Sequence, residues 1–324
     1  MRELRLIAAI RNLVEGRQVD PRIRIGIGDD AAVLERPEGC VVATTDTLVD
    51  GVHFKRAFCG PGDIGARAVA VNLSDLAAMA SRPLALLVSL EIPDGLQERF
   101  LLSVMRGAVA CGERFGATVA GGNITRSPGV FAIGVTALGT IPKGFQPWTR
   151  SGARPGDVLV VSGSLGSGAL GLHLLDHHPA LATRFPGLVR AYRRPTPRLD
   201  MALLHGGNPG VHAAIDLSDG LGSDIRHITR ASGVGARVDI SRLPILPEAK
   251  RYAREVGLDP YWFALSGGDD YELLLAIAPG DAPAMESKGF TRIGRITGSR
   301  GLRLVRDGAR IPASLASGYR HDDP

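Results

Sequence analysis

A chain of 324 residues, 44% hydrophobic and 22% charged, has the apolar content for two domains of ordinary size. Its longest apolar runs fall short of the ~20 residues a membrane helix needs. The net charge of +5 is almost all arginine, lysine occurring only four times; aromatic residues make up 5% and no basic cluster is interleaved with them, so nucleic acid is not the expected partner and an anionic small substrate is. Cys40, Cys59 and Cys111 form no C-x-x-C pair, which argues against a disulfide framework or zinc knuckle and for a reducing cytoplasm, with the thiols as buried or half-buried apolar groups.

The N-terminus, MRELRLIAAIRNLVEG, carries apolar residues at helical spacing and reads as an amphipathic helix, not a signal peptide. A strand is expected over 41–46, an alanine-rich helix over 62–80, a strand over 84–92, a helix over about 96–115, and strands near 117–121 and 130–140. The segment 141–157 holds three prolines and three glycines and reads as a linker. Beyond it a strand over 157–163 runs through a glycine-rich turn into a helix over about 166–176. Further strands are expected near 213–217, 236–240, 271–277 and 301–305, and helices near 196–205 and 220–232. Strands and helices mix throughout, so the class is α/β or α+β in two domains, 1–140 and 157–324, joined by 141–156.

Aspartates recur at the junctions of these elements. GIGDD at 26–30 sets two carboxylates after two glycines, and adjacent like charges call for a cation nearby. In TTDTLVDGVHF, Asp46 ends a strand, Thr45 adds a hydroxyl or main-chain oxygen, and Asp50 and His53 follow in a loop. Asp75 lies in the apolar helix AVAVNLSDLAAMA, with Asn72 on the same face; a buried carboxylate there needs a cation, a polar cleft or an arginine such as Arg67. In AIDLSDGLGSDI, Asp216 and Asp219 bracket Ser218 where a strand gives way to a helix. Ser218 or Asp219 caps that helix, or the carboxylates gather Mg²⁺ beside a helix N-terminus that favours phosphate. In ALSGGDDYELL two more aspartates follow a glycine pair, as a turn or hairpin. Magnesium takes oxygen ligands, commonly one or two carboxylates plus substrate phosphates, and several ions holding a triphosphate need about this many aspartates.

GSGALG at 166–171 matches the dinucleotide pattern G-x-G-x-x-G, but the required second strand ending in an acid about 20 residues on is missing. That turn packs a helix closely or turns backbone N–H groups toward phosphate. No Gly-Lys dipeptide occurs, which excludes a Walker A loop, and neither G-x-S-x-G nor H-E-x-x-H is present.

Taken in order, GIGDDAAVL, TTDTLVDGVHF, AVNLSDLAAM, RSGARPGD, AIDLSDGLGSDI and ALSGGDDYELL resemble the thiamine-monophosphate kinase family, over nearly the whole chain. That family sits within a wider group of aminoimidazole ribonucleotide synthetase-like ATP-binding proteins. The resemblance implies that two-domain fold, with an N-terminal mixed sheet and helices that dimerise and a C-terminal α+β domain. It implies in-line transfer of the ATP γ-phosphoryl group to thiamine monophosphate, without a phosphoenzyme, in a cytoplasmic homodimer using several Mg²⁺ ions. By motif match it implies Asp30, Thr45, Asp46, Asp75, Asp216 and Asp219 as metal ligands, Gly122, Arg150 and Ser218 as ATP contacts, and His53 and Asp269 as substrate contacts.

Three positions depart from the family pattern. Asn123 stands where a metal-binding aspartate is usual; its amide oxygen still coordinates, beside ATP, with one negative charge fewer. Asp269 stands where a longer glutamate is common. The C-terminal tryptophan expected against the substrate is absent, and Tyr319 is its replacement. Alternatives to the kinase are a related ATP-dependent enzyme with another small substrate, or a weakly catalytic nucleotide-binding protein.

Overall fold

The structure is a computed structural model and describes residues 3–15, 17 and 20–312. The described chain divides into two compact units: one runs to Leu76 and takes in Ser81–Gln146, the other takes in Ala77–Ala80 and continues from Pro147.

In the first unit, the helical spacing at the N-terminus produces α1 (Glu3–Glu15), which buries Leu6, Ile10 and Val14. A short hairpin of β1 (Ile23–Ile25) and β2 (Val33–Leu34) holds the GIGDD turn. There follow β3 (Gly39–Val49), α2 (Pro61–Ala78), β4 (Arg82–Ile92), α3 (Glu98–Arg114), β5 (Thr118–Arg126) and β6 (Ala132–Pro142). The sheet order is β3-β6-β4-β5, with β4 and β5 parallel and the other pairs antiparallel. Helices α2 and α3 meet through glycine. A Cβ on Gly65 would lie 1.8 Å from the Val104 carbonyl oxygen, and one on Gly107 2.0 Å from that of Gly62, so these two backbones touch only because the side chains are absent. β3 runs five residues beyond the expected strand in sum at its two ends, and β5 continues past the expected end near 121 to Arg126, so Gly121–Asn123 lie within a strand.

In the second unit the chain forms β7 (Val158–Val161), α4 (Ser167–His177), α5 (Pro186–Arg193), α6 (Leu199–His205), β8 (Val211–Asp216), α7 (Leu221–Ser232) and β9 (Gly235–Asp239). Then come α8 (Pro247–Glu255), α9 (Pro260–Ser266), β10 (Leu273–Ile277), α10 (Ala282–Ser287), β11 (Thr291–Thr297), β12 (Gly301–Arg306) and β13 (Ala309–Ile311). The seven strands order as β13-β12-β9-β11-β7-β10-β8, parallel only between β12 and β9. β7 and β10 are wholly buried and read as continuous apolar runs, VLVV and LLLAI. Leu170 and Leu174 of α4 and Leu221, Ile225 and Ile228 of α7 share one core with Leu159, Val161, Ile215, Ala236 and Val238 of the sheet. β11 and helices α8–α10 were not anticipated. Their apolar residues lie in short runs broken by proline and charge, so no periodicity extends far enough to be read.

The segment after β6 is fastened to the second unit. Thr149 accepts the Ala214 N–H at 2.8 Å, Ser232 Oγ accepts the Ala153 N–H at 3.1 Å, and Asp157, 3% exposed, holds His212 Nδ1 at 2.9 Å. Of the cysteines, Cys59 is buried and Cys111 half-buried as expected, but Cys40 is exposed.

Candidate functional site

In the first unit the carboxylates gather where β3 faces α2. Residues alternate along a strand, so Thr44 and Asp46 share a face. Thr44 Oγ1 donates to Asp75 Oδ2 at 2.5 Å, and Asn72 Oδ1, fully buried, accepts the Asp46 N–H at 2.9 Å. Asn72 in turn donates to the Ala68 carbonyl at 2.9 Å, so its orientation is set by its own helix. Asp75 is thus half-buried and engaged from the strand. The protein around Asp46 strips enough water from its carboxyl to push its pKa up, although the side chain reaches the surface. The Thr45 hydroxyl lies on the other face, 3.0 Å from Thr136 Oγ1 and 3.2 Å from the Val135 oxygen, apart from the groups that face α2.

The register carries Asp46 through Val135 and Val88 to Gly122, one row of four residues across the sheet. Asn123 lies one position further along β5, opposite Ser89. β3 and β5 are the two edges, so about 14 Å of sheet separates Asp46 from this segment at ~4.8 Å per strand. Gly122 is confined to glycine, since a Cβ would lie 1.8 Å from the Val88 oxygen. Asp30 is exposed, its N–H bonded to Asp29 Oδ1 at 2.9 Å. The cation expected near this turn is Arg11, whose guanidinium lies 2.9 Å from where a Cβ on Gly28 would sit. His53 Nδ1 accepts the Val49 N–H at 3.1 Å, which puts the proton of the neutral ring on Nε2. Asp50 pairs with Arg56 at 2.5 Å and serves the loop.

In the second unit β8 delivers Asp216, 4% exposed, to its C-terminal end. The chain then turns through Ser218, exposed, and Asp219, half-buried, into α7. Neither Ser218 nor Asp219 caps the helix; Gly220 stands at the N-cap, and Asp224 Oδ2, one turn inside, accepts the Gly220 N–H at 3.1 Å. Asp224 and His227 went unnoticed in the sequence, although their spacing of three on an amphipathic helix was a legible signal. With Asp219 they place one donor atom each within 4.8 Å of one another. Burial first, then the charges of Asp219 and Asp216, pushes Asp224 up to about 8. His227 is pushed down, chiefly by burial and then by Arg150, against a smaller opposite pull from Asp219. Arg150 therefore lies within electrostatic reach of this cluster. Crowded carboxylate oxygens with an arginine nearby are hard donors suited to Mg²⁺, and a divalent cation relieves their mutual repulsion.

Against this turn lies GGDDY. The Ser218 carbonyl accepts the Asp269 N–H, and the Leu217 carbonyl the Tyr271 N–H, each at 2.8 Å. Asp269 and Tyr271 both adopt left-handed backbone, φ +61° and +52°, an uncommon state for side chains of this size and one associated with functional loops. The buried Tyr271 hydroxyl donates to Asp269 Oδ1 at 2.9 Å. This segment is a loop between α9 and β10, not a hairpin. Asp270 points the other way, and its two carboxylate oxygens accept the Gly166 N–H at 2.8 and 2.9 Å. GSGALG is thus occupied by the protein's own carboxylate, and a Cβ on Gly168 would strike the Asp269 oxygen at 2.2 Å. The close-packing reading of that turn holds. Behind it, Glu272 takes a two-pronged contact from Arg198 at 2.5 and 2.6 Å and a 2.6 Å bond from Ser162 Oγ. Tyr319 lies outside the described residues.

The fold and these acid-rich turns define a class, that of AIR synthase related proteins, whose N-terminal domain matches residues 28–141 and whose C-terminal domain matches residues 154–307. Thiamine-monophosphate kinase of Salmonella typhimurium is 38% identical over 331 residues, covering 98% of each chain. The crystal structure of thiamine-monophosphate kinase from Stenotrophomonas maltophilia is 36% identical, with a TM-score of 0.82 over 96% of this chain and 98% of that one. AaThiL complexed with AMPPCP and TMP is 31% identical, with a TM-score of 0.77 over 98% and 96% of the two chains. Within its class, this chain belongs to the thiamine-monophosphate kinase family.

Proposed function

We propose that this protein transfers the γ-phosphoryl group of ATP to the phosphate of thiamine monophosphate, forming thiamine diphosphate and ADP. The observation that carries the reading is the paired turns at 216–220 and 268–271. There, main-chain bonds from Asp269 to Ser218 and from Tyr271 to Leu217 fasten the turn that carries Asp216, Ser218 and Asp219 to the one that carries Asp269, beside a helix N-terminus, in a chain alike over 98% of its length to a kinase of this family. The γ-phosphorus–oxygen bond to ADP breaks as an oxygen of the accepting phosphate bonds to phosphorus. That oxygen is already anionic, so no general base is required, and catalysis is positioning plus charge neutralisation.

In this reading Gly122, Asn123, Arg150 and Ser218 contact ATP, with Arg150 adding a charge-assisted bond to phosphate. His53, Asp269 and Tyr319 contact thiamine monophosphate, and the Asp269 carboxylate complements the cationic thiazolium ring. Asp30, Thr45, Asp46, Asp75, Asn123, Asp216 and Asp219 would hold Mg²⁺. Bound Mg²⁺ would neutralise the phosphate oxygens. The AaThiL complex with AMPPCP and TMP supports the choice of both ligands.

A homodimer is supported by β3, an eleven-residue edge strand without proline that exposes most of its length, including Val41. Among the described residues no helix is long and apolar enough to cross a membrane, and no disulfide joins the cysteines, both in keeping with a cytoplasmic enzyme.

The direct test incubates the purified protein with ATP, Mg²⁺ and thiamine monophosphate. Thiamine diphosphate and ADP are expected in equal amounts, and EDTA should abolish both. Asn123 favours one other reading, a nucleotide-binding protein with little catalysis. Saturable ATP binding with no thiamine diphosphate formed would select it.

A further inference from the structure

Alternation along β9 turns Ala236 and Val238 into the core and leaves Arg237 and Asp239 on the opposite face. In register, Arg237 stands opposite Arg295 of β11 on one side and Arg303 of β12 on the other. Side chains paired in this way point to the same face. Three arginines therefore occupy one row on the same face, on strands about 5 Å apart, and like charges directly opposite destabilise a sheet.

Arg292 joins them through an irregularity. It precedes Arg295 by three residues, which plain alternation would place on the other face. The register of β11 on β7 shifts between Arg292 and Gly294, and that bulge brings both arginines to one cavity. Gly294 is itself required, since a Cβ would lie 2.1 Å from the Arg237 oxygen. The cavity, roughly 370 Å³, is lined by Arg237, Arg242, Arg292 and Arg295, with Asp239 on its wall. Glu286 pairs with Arg292 at 3.0 Å. Among the described residues no carboxylate ion-pairs with Arg237, Arg242 or Arg295.

A fold that sets arginines in register and adds a bulge to recruit another carries a repulsion that a bound anion would remove. The volume fits a small molecule. No aromatic residue lines the cavity to stack a base, and its apolar lining is Val158 and Ile293. We propose that this groove is a second anion site, for a small ligand carrying two or more linked phosphate groups. It lies apart from the carboxylate-lined turn of the same unit, because Val158 on its wall sits in the row that runs through Ile277 to Val211, at the opposite end of β8 from Asp216.

The test is calorimetric titration of the full chain with inorganic tripolyphosphate in EDTA, where no divalent cation is present to draw phosphate to the aspartates. Binding is expected with an affinity that falls at least tenfold in Arg237→Ser/Arg295→Ser, stays unchanged in Arg150→Ser, and declines steeply with salt. Tripolyphosphate should also raise the melting temperature of the parent chain and not that of the double variant. Three results would each overturn the site: affinity unaffected by the double substitution, affinity lost in Arg150→Ser, or tripolyphosphate bound no more tightly than orthophosphate. Tighter capture of a single-stranded oligonucleotide through the same arginines would replace the small ligand with nucleic acid. Neither heat nor melting temperature depends on turnover, so failure here is distinct from failure of the kinase reading.

Discussion

Asp75 and Asn72 sit one helical turn apart on α2, and both reach β3, one through the Thr44 hydroxyl and the other through the Asp46 N–H. Asp75→Asn keeps that geometry and removes a charge. It should abolish thiamine diphosphate formation while the melting temperature stays within a few degrees of the parent; undiminished turnover would remove Asp75 from the metal set. Asn123→Asp restores a negative charge beside Gly122 and should move the Mg²⁺ titration of activity to lower concentration. An identical titration curve would mean that Asn123 is not a ligand. Asp270 offers a pH test away from the metal-binding aspartates. Burial pushes its pKa well above the ordinary carboxylate value, outweighing the Gly166 N–H. The folded state therefore binds more protons than the unfolded chain, and this group's contribution to stability falls as pH rises from about 4 upward. Asp270→Asn keeps an acceptor for Gly166 and has no charge to bury, so urea midpoints between pH 5 and pH 8 should decline less steeply in the variant. Parallel declines would refute the assignment.

At the scale of elements, the turn opening α4 shows how one sequence pattern serves two ends. GSGALG has the form of a phosphate loop, yet Asp270 fills the place an anion would take, and its glycines exist to let α4 meet the GGDD segment and α5. Gly168→Ala should push Asp269 from its position, costing about 1–3 kcal/mol in overpacking. It should also raise KM for thiamine monophosphate more than KM for ATP; equal change in the two would argue against a substrate role for Asp269. The carboxylates of GIGDD, LSDG and GGDD were legible because aspartate pairs after glycine, or at the end of an apolar run, are local signals. Glu272 and Arg198 were not, because what distinguishes them is burial against a partner distant in sequence.

For the whole molecule, the two-domain organisation and the alternation of strands and helices could be read from apolar periodicity and a proline-rich interruption. The exposed length of β3 bears on assembly. If two copies pair through this unit, Val41→Glu places charge on the edge and should shift the protein toward monomer in sedimentation velocity. A dimer as tight as the parent's would put the interface elsewhere. Local chemistry set the turn glycines, the helix faces and the acid-bearing junctions, and six short motifs in order were enough to indicate a family. Only the tertiary structure decided which face each strand presents, that Ser218 and Asp219 leave the cap of α7 to Gly220, that Asp270 rather than phosphate occupies the α4 turn, and that Arg303, Arg237 and Arg295 align. The physical reason is that register and burial are properties of pairs of segments, and a single stretch of chain carries no record of the partner that will lie across from it.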